Sequence, residues 1–131
     1  MNQDFVGKRY PPVPFSVTFE RVRAFAEAIG DPGEPVPPTF ATAPEIASLD
    51  QVIGDADLNL DYARVVHGEQ EFEWSRPLAL GDELMMESTI ASIRAKGDLE
   101  WLVVETELRD ATGQLAVRAR NTLIVRGAAS T

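Results

Sequence analysis

Two rhythms of apolar residues divide the chain. In the first, Phe19, Val22, Ala26 and Ile29 recur at three- and four-residue spacing, which predicts a helix with one apolar face. Thr18 is placed to cap its start, and Gly30 followed by Asp31-Pro32 to stop it. The stretch GDPGEPVPPTF (30–40) carries four prolines and predicts an extended loop. TAPEIASLDQVI (42–53) then resumes helical spacing. Thr42 and Glu45 have the separation of a capping box, Pro44 sits in the first turn, and Ile46, Leu49 and Ile53 share a face. A helix of about three turns is marginal alone in water and must pack on something.

The second rhythm has period two and predicts strands. Phe72 and Trp74 alternate with Glu71 and Glu73 in VVHGEQEFEW (65–74), and RPLALGDEL (76–84) makes a turn. Leu84, Met86 and Ile90 mark the next strand, and AKGD (95–98) turns the chain again. Leu102, Val104, Thr106 and Leu108 share a face, and RDATG (109–113) has hairpin chemistry with a glycine at positive φ. Leu115, Val117, Ala119, Leu123 and Val125 alternate with Arg118, Arg120 and Arg126. Each strand has one apolar and one polar face, as in a sheet covered on one side. The economical architecture is α+β, a curved antiparallel sheet wrapped round the helices that precede it. Periodicity alone also admits a ferredoxin-like arrangement.

Composition narrows the function classes. The 131 residues form one domain, large enough for a core without staples. No cysteine is present, which excludes disulfides, thiolate metal sites and a cysteine nucleophile and permits a cytoplasmic location. With a single histidine, a structural zinc site is out of reach. The start, MNQDFVGKRYPP, lacks the build of a signal peptide, and no apolar run approaches membrane-spanning length. A net charge of -9 argues against nucleic acid as a partner, because phosphate binding needs clustered Lys and Arg.

PPTFA (37–41), VVHGEQEFEWSRPLALGDEL (65–84) and RNTLIVRG (120–127) together resemble the MaoC-type hot-dog dehydratases. The resemblance spans nearly the whole chain. It is to the dehydratase-like half found as the N-terminal half of double hot-dog hydratases and as the accessory subunit of actinobacterial (3R)-hydroxyacyl-ACP dehydratases. It implies a hot-dog fold, a long sheet around a central helix, with two such units joined into one sheet and an acyl thioester in a tunnel between them. It implies no cofactor. In catalytic members an Asp and a His of a loop motif G-D-x-N-P-x-H exchange proton and water across the 2,3-bond, and a backbone N–H at the helix start polarises the thioester carbonyl. A donor at the positive end of a helix suits a developing enolate. Here Gly30-Asp31 resembles the start of that motif, but Gly33-Glu34-Pro35-Val36 stands where N-P-x-H would follow. Val36 cannot shuttle a proton.

Each candidate residue carries two readings. Histidine is the side chain suited to proton exchange near neutral pH, and Glu69 or Glu71 could orient His67 as a base. In an unbroken strand, however, it shares the face of Glu69, Glu71 and Glu73, opposite Phe72 and Trp74, unless a bulge at Gly68 reverses the parity. The resemblance puts His67 and Gly68 near the acyl site. Asp31 is a relic acid or an Asx turn after a helix stop. Asp82 is a turn residue that accepts from local backbone N–H groups. Thr39 and Phe40 are a cap and a core residue, or line the thioester tunnel. Arg118 and Arg120 meet CoA phosphates or an acidic carrier protein, or pair with Glu105 and Glu107 on a solvated face. Trp74 and Trp101 read as core or seam aromatics.

The expectation is an accessory subunit without its own catalytic residues, with Thr39, Phe40, His67 and Gly68 against the acyl-CoA or acyl-ACP thioester. Its partner would be a catalytic MaoC-type chain in a heterodimer, or a second copy of itself. The alternatives are a self-sufficient homodimeric hydratase or thioesterase using His67 or Asp31, and a non-enzymatic acyl-thioester binding module.

Overall fold

The structure is a computed structural model and describes residues 1–127. Its order is β1 (Val13–Ser16), α1 (Phe19–Ile29), α2 (Thr42–Ile53), β2 (Val65–Trp74), β3 (Glu83–Lys96), β4 (Leu99–Arg109) and β5 (Leu115–Arg126). The strands form one antiparallel sheet in the order β1-β3-β4-β5-β2, and α2 packs on β3 and β4. This is the hot-dog arrangement that the resemblance implies.

Local chemistry sets the boundaries. Thr18 accepts a hydrogen bond from the Arg21 N–H at 3.2 Å and caps α1, while Gly30 ends it at φ 71°. The turn between β4 and β5 is organised by Asp110, whose Oδ1 accepts from the Thr112 and Gln114 N–H groups, with Gly113 at φ 86°. β1 lies outside the predicted elements, because VPFS is only four residues long and contains a proline.

Both helices bury less of the predicted faces than hydrophobicity suggests. On α1 only Val22 and Ala26 are buried, and Phe19 and Ile29 remain 62% and 51% exposed. On α2 the buried residues include Glu45, Ser48, Leu49 and Val52, whereas Ile46 is 47% exposed. The capping box between Thr42 and Glu45 does not form: α2 is entered through a 3₁₀ turn over Pro38–Ala41, and no side chain caps it. Glu45 turns into the core instead.

The bulge that Gly68 hints at is present. The β2–β5 register shifts between His67 and Glu69, so His67 pairs with Leu123 and Gln70 with Asn121. Cross-strand partners share a face, and Leu123, Asn121, Ala119 and Val117 are buried. His67, Gln70, Phe72 and Trp74 therefore all face the helix side, and Glu69, Glu71 and Glu73 face outward. A Cβ on Gly68 would lie 2.7 Å from Ile124 Cδ1, the end of a half-buried side chain that would have to move aside. Replacement by valine, Gly68→Val, is expected to cost about 1–3 kcal/mol of stability through overpacking, measured by urea denaturation.

Candidate functional site

A row of polar side chains crosses the core between two apolar clusters. One cluster is built round Phe40, Met86, Leu108 and Val117, the other round Leu49, Ile90, Leu102 and Leu123. Between them Ser48 of α2 meets Ser88 of β3, Oγ to Oγ 2.6 Å, and Ser88 meets Thr106 of β4 at 2.8 Å. One register step away, Asn121 Nδ2 donates to Gln70 Oε1 at 2.9 Å, and Gln70 Nε2 donates to Glu45 Oε2 at 2.9 Å. Glu45 is 0% exposed, and its Oε1, like Asn121 Oδ1, is buried without a hydrogen-bond partner. Burial pushes the Glu45 carboxyl up to about 7, against the opposing pull of the Gln70 hydrogen bond. None of this row stood out in the sequence beyond the misassigned cap. The available signal was two polar residues, Glu45 and Ser48, spaced i, i+3 on one helix face.

A cavity of about 370 Å³ opens beside the loop that leads into α2. Val36, Pro37 and Pro38 form one wall, and Trp74, Arg76 and Leu78 line the other. The lining is mostly apolar. Its one charged group, Arg76, donates to Asp82 at 2.8 Å and reaches Asp110 at 3.4 Å, so its charge is already countered. Trp74 stacks at a tilt on Phe72, ring centroids 5.5 Å apart, continuing the apolar surface along the helix-facing side of β2.

The remaining candidates fall as follows. Asp31 accepts from the Gly33 N–H at 2.7 Å in an Asx turn, and lies beside a different cavity with Val22, Ala26 and Leu80. Asp82 accepts from the Ala79 N–H at 2.9 Å in addition to Arg76. Thr39 is exposed at the turn entering α2. Phe40 is fully buried, with Phe15 and Phe25 edge-on at 6.1 and 5.6 Å, and ties β1 and α1 to the start of α2. His67 is exposed on the helix-facing side of β2, next to Gly68 at the bulge. Arg118 and Arg120 pair with Glu107 and Glu105 at 3.0 Å each on the outer face. Trp101, opposite Ile124, is half-buried on that outer face rather than in the core. Among the described residues no cluster of His, Asp and Glu could hold a metal ion, and no helix is long and apolar enough to cross a membrane.

Comparison with known proteins agrees with this geometry. The family model of the FAS1-like dehydratase domain region matches residues 4–119. A UPF0336 protein of Streptomyces avermitilis is 40% identical over 98% of the chain and 97% of its own length, and one of Parafrankia sp. is 41% identical over 98% and 97%. Those alignments run over 146 and 147 positions, more than the 131 residues of the chain, so the relatives carry internal residues that this chain lacks. Among solved structures, a MaoC-like dehydratase superimposes with a TM-score of 0.84 at 24% identity over 96% of this chain, which corresponds to 43% of that longer one. The HadBC (3R)-hydroxyacyl-ACP dehydratase complex from Mycobacterium tuberculosis superimposes with a TM-score of 0.76 at 25% identity, over 95% of this chain and 99% of that one.

The buried carboxyl makes stability pH-dependent with a definite sign. Its folded value of about 7 stands above the ordinary 4.5, so the folded state holds the proton more tightly. That contribution is complete below pH 4.5 and is lost as pH rises through about 7. Glu45→Gln keeps the acceptor for Gln70 and removes the charge. At pH 8 it is expected to raise unfolding free energy by up to about 3 kcal/mol and to flatten its dependence between pH 5 and 8 in urea titrations.

Proposed function

Because this chain belongs to the FAS1-like dehydratase-region family and takes the hot-dog fold of the MaoC-like dehydratases, we propose that it is an accessory, non-catalytic subunit of an (R)-specific acyl-thioester hydratase/dehydratase. As a single hot-dog domain over residues 1–131 it would work in the cytoplasm beside a catalytic MaoC-type partner. One observation carries the reading. The loop that would hold the acid/base pair brings Val36 to an apolar cavity whose one charged group is already paired. Such a wall excludes water and holds an alkyl chain but cannot move a proton.

The chemistry then divides between two chains. The partner supplies the Asp and His, which add or remove water across the 2,3-bond of an acyl-CoA or acyl-ACP. This chain supplies the tunnel wall, with Trp74 and Leu78 along the acyl tail and Phe40 fixing the turn before α2. Thr39, His67 and Gly68 would lie toward the thioester. The unpaired β2 edge is the natural place for the two sheets to join, since its outer N–H and C=O groups have no neighbour among the described strands. The HadBC neighbour is itself described as a complex.

The bulge at Gly68 favours a second reading. It puts His67 on the helix-facing side with Gln70 and Phe72, so a self-sufficient homodimer using His67 has the right face available. Hydration of crotonoyl-CoA by the purified chain, followed as loss of enoyl-thioester absorbance, separates the two. The accessory reading expects no turnover alone and turnover on co-expression with the MaoC-type subunit. Turnover by the chain alone, abolished in His67→Ala, would establish the homodimer instead. In the active pair, Leu78→Trp should lower kcat/KM for long acyl chains at least tenfold while sparing crotonoyl-CoA, because it fills the cavity.

A further inference from the structure

The open edge of the sheet carries a charge pattern that bears on which chain can pair with it. On the outer face of β2 the bulge sets Glu69, Glu71 and Glu73 in a row, opposite Thr122, Arg120 and Arg118 of β5. The two arginines turn the other way and bond Glu105 and Glu107 of β4 at 3.0 Å. Among the described residues none of the three β2 carboxylates closes an ion pair, and all three are exposed. At the ends of the same strand Val66 and Trp74 are each left 41% exposed. Behind its middle Gln70 holds the wholly buried Glu45. Val66, Gln70 and Trp74 are thus all exposed along a strand whose outer backbone edge is unpaired among the described residues, the kind of edge that invites another strand.

We propose that the β2 edge is a charge-selective docking strand whose occupant is a hot-dog chain with lysine or arginine at the outward positions of its own edge strand, in preference to a second copy of this chain. The inference rests on the accessory-subunit reading and adds the chemistry of the partner. Antiparallel pairing keeps outward residues on the outward face, about 5 Å from their opposite numbers. Two copies paired about the middle of β2 would therefore set glutamate against glutamate along the seam, Glu71 against Glu71 and Glu69 against Glu73. Like charges directly opposite each other destabilise a pair of strands, and opposite charges stabilise it. A net charge of -9 adds long-range repulsion between copies and attraction to a basic edge.

The test works without the natural partner in hand. The variant Glu69→Lys/Glu71→Lys/Glu73→Lys has the shape of this chain and a basic edge. Wild type alone, variant alone and an equimolar mixture are compared by sedimentation velocity and native mass spectrometry at 0.05 and 0.5 M NaCl. The mixture is expected to form a 1:1 heterodimer at low salt, at least tenfold tighter than either self-association and weakened at least tenfold at high salt. A wild-type homodimer as tight as the mixed pair, or a mixed pair indifferent to salt, would overturn the proposal. If the lysine variant fails to fold, Glu69→Gln/Glu71→Gln/Glu73→Gln replaces it. Self-association of that neutral form should exceed the wild type's at low salt, and equality would overturn the proposal too. A homodimer without turnover would remove only the charge selectivity. A homodimer that hydrates crotonoyl-CoA would remove the accessory reading as well.

Discussion

A carboxyl without a charged partner lies under α2, and the seating of that helix follows from it. Glu45 and Ser48 turn inward to reach Gln70 and Ser88, which rotates Ile46 out toward solvent. An apolar helix could slide or roll over an apolar sheet at little cost. Two polar contacts on adjacent registers fix both rotation and depth, because a buried polar atom that loses its partner costs about 1–3 kcal/mol. The loop from Gly30 to Phe40 inherits its position from that seating. So does the cavity between Val36 and Trp74.

The second determinant is a single bulge. Without the bulge at Gly68, His67 would share the outward face with the glutamates, and the inner side of β2 would lose its continuity with the bound row of Gln70 and Asn121. With it, the inner side runs His67, Gln70, Phe72, Trp74 to the cavity, and the outer side collects Glu69, Glu71 and Glu73. One strand thus presents Phe72 and Trp74 toward the cavity and three carboxylates toward solvent. On the accessory reading proposed above the chemistry is split between chains, because Val36 stands where the catalytic motif would place its histidine.

Much of the fold was legible. Strands β2 to β5 announce themselves by alternation, because one face packs on the helices and the other meets water. Turn chemistry at Asp110 and Gly113, the cap at Thr18 and the stop at Gly30 were readable for the same local reason. The pairing of Arg118 and Arg120 with Glu107 and Glu105, and the turn roles of Asp31 and Asp82, were readable as the plainer of two alternatives. What hydrophobicity could not show is the polar row. It places a glutamate and a serine inside and an isoleucine outside, and its partners come from strands distant in sequence. The strand Val13–Ser16 was missed because a short proline-containing segment has no period to display. That Val36 stands where the resembling family's motif would place a histidine was visible in sequence only through that resemblance. The cavity that Val36 lines required coordinates.

The central claim is that this chain shapes the acyl site without moving protons. The most direct measurement is kcat of the reconstituted complex after removing the titratable candidates from this subunit alone, as the double variant Asp31→Asn/His67→Ala. Retention of kcat within about threefold is the predicted result. A fall of two orders of magnitude or more, the size of effect that loss of a general acid or base produces, in a complex that still assembles, would contradict the account.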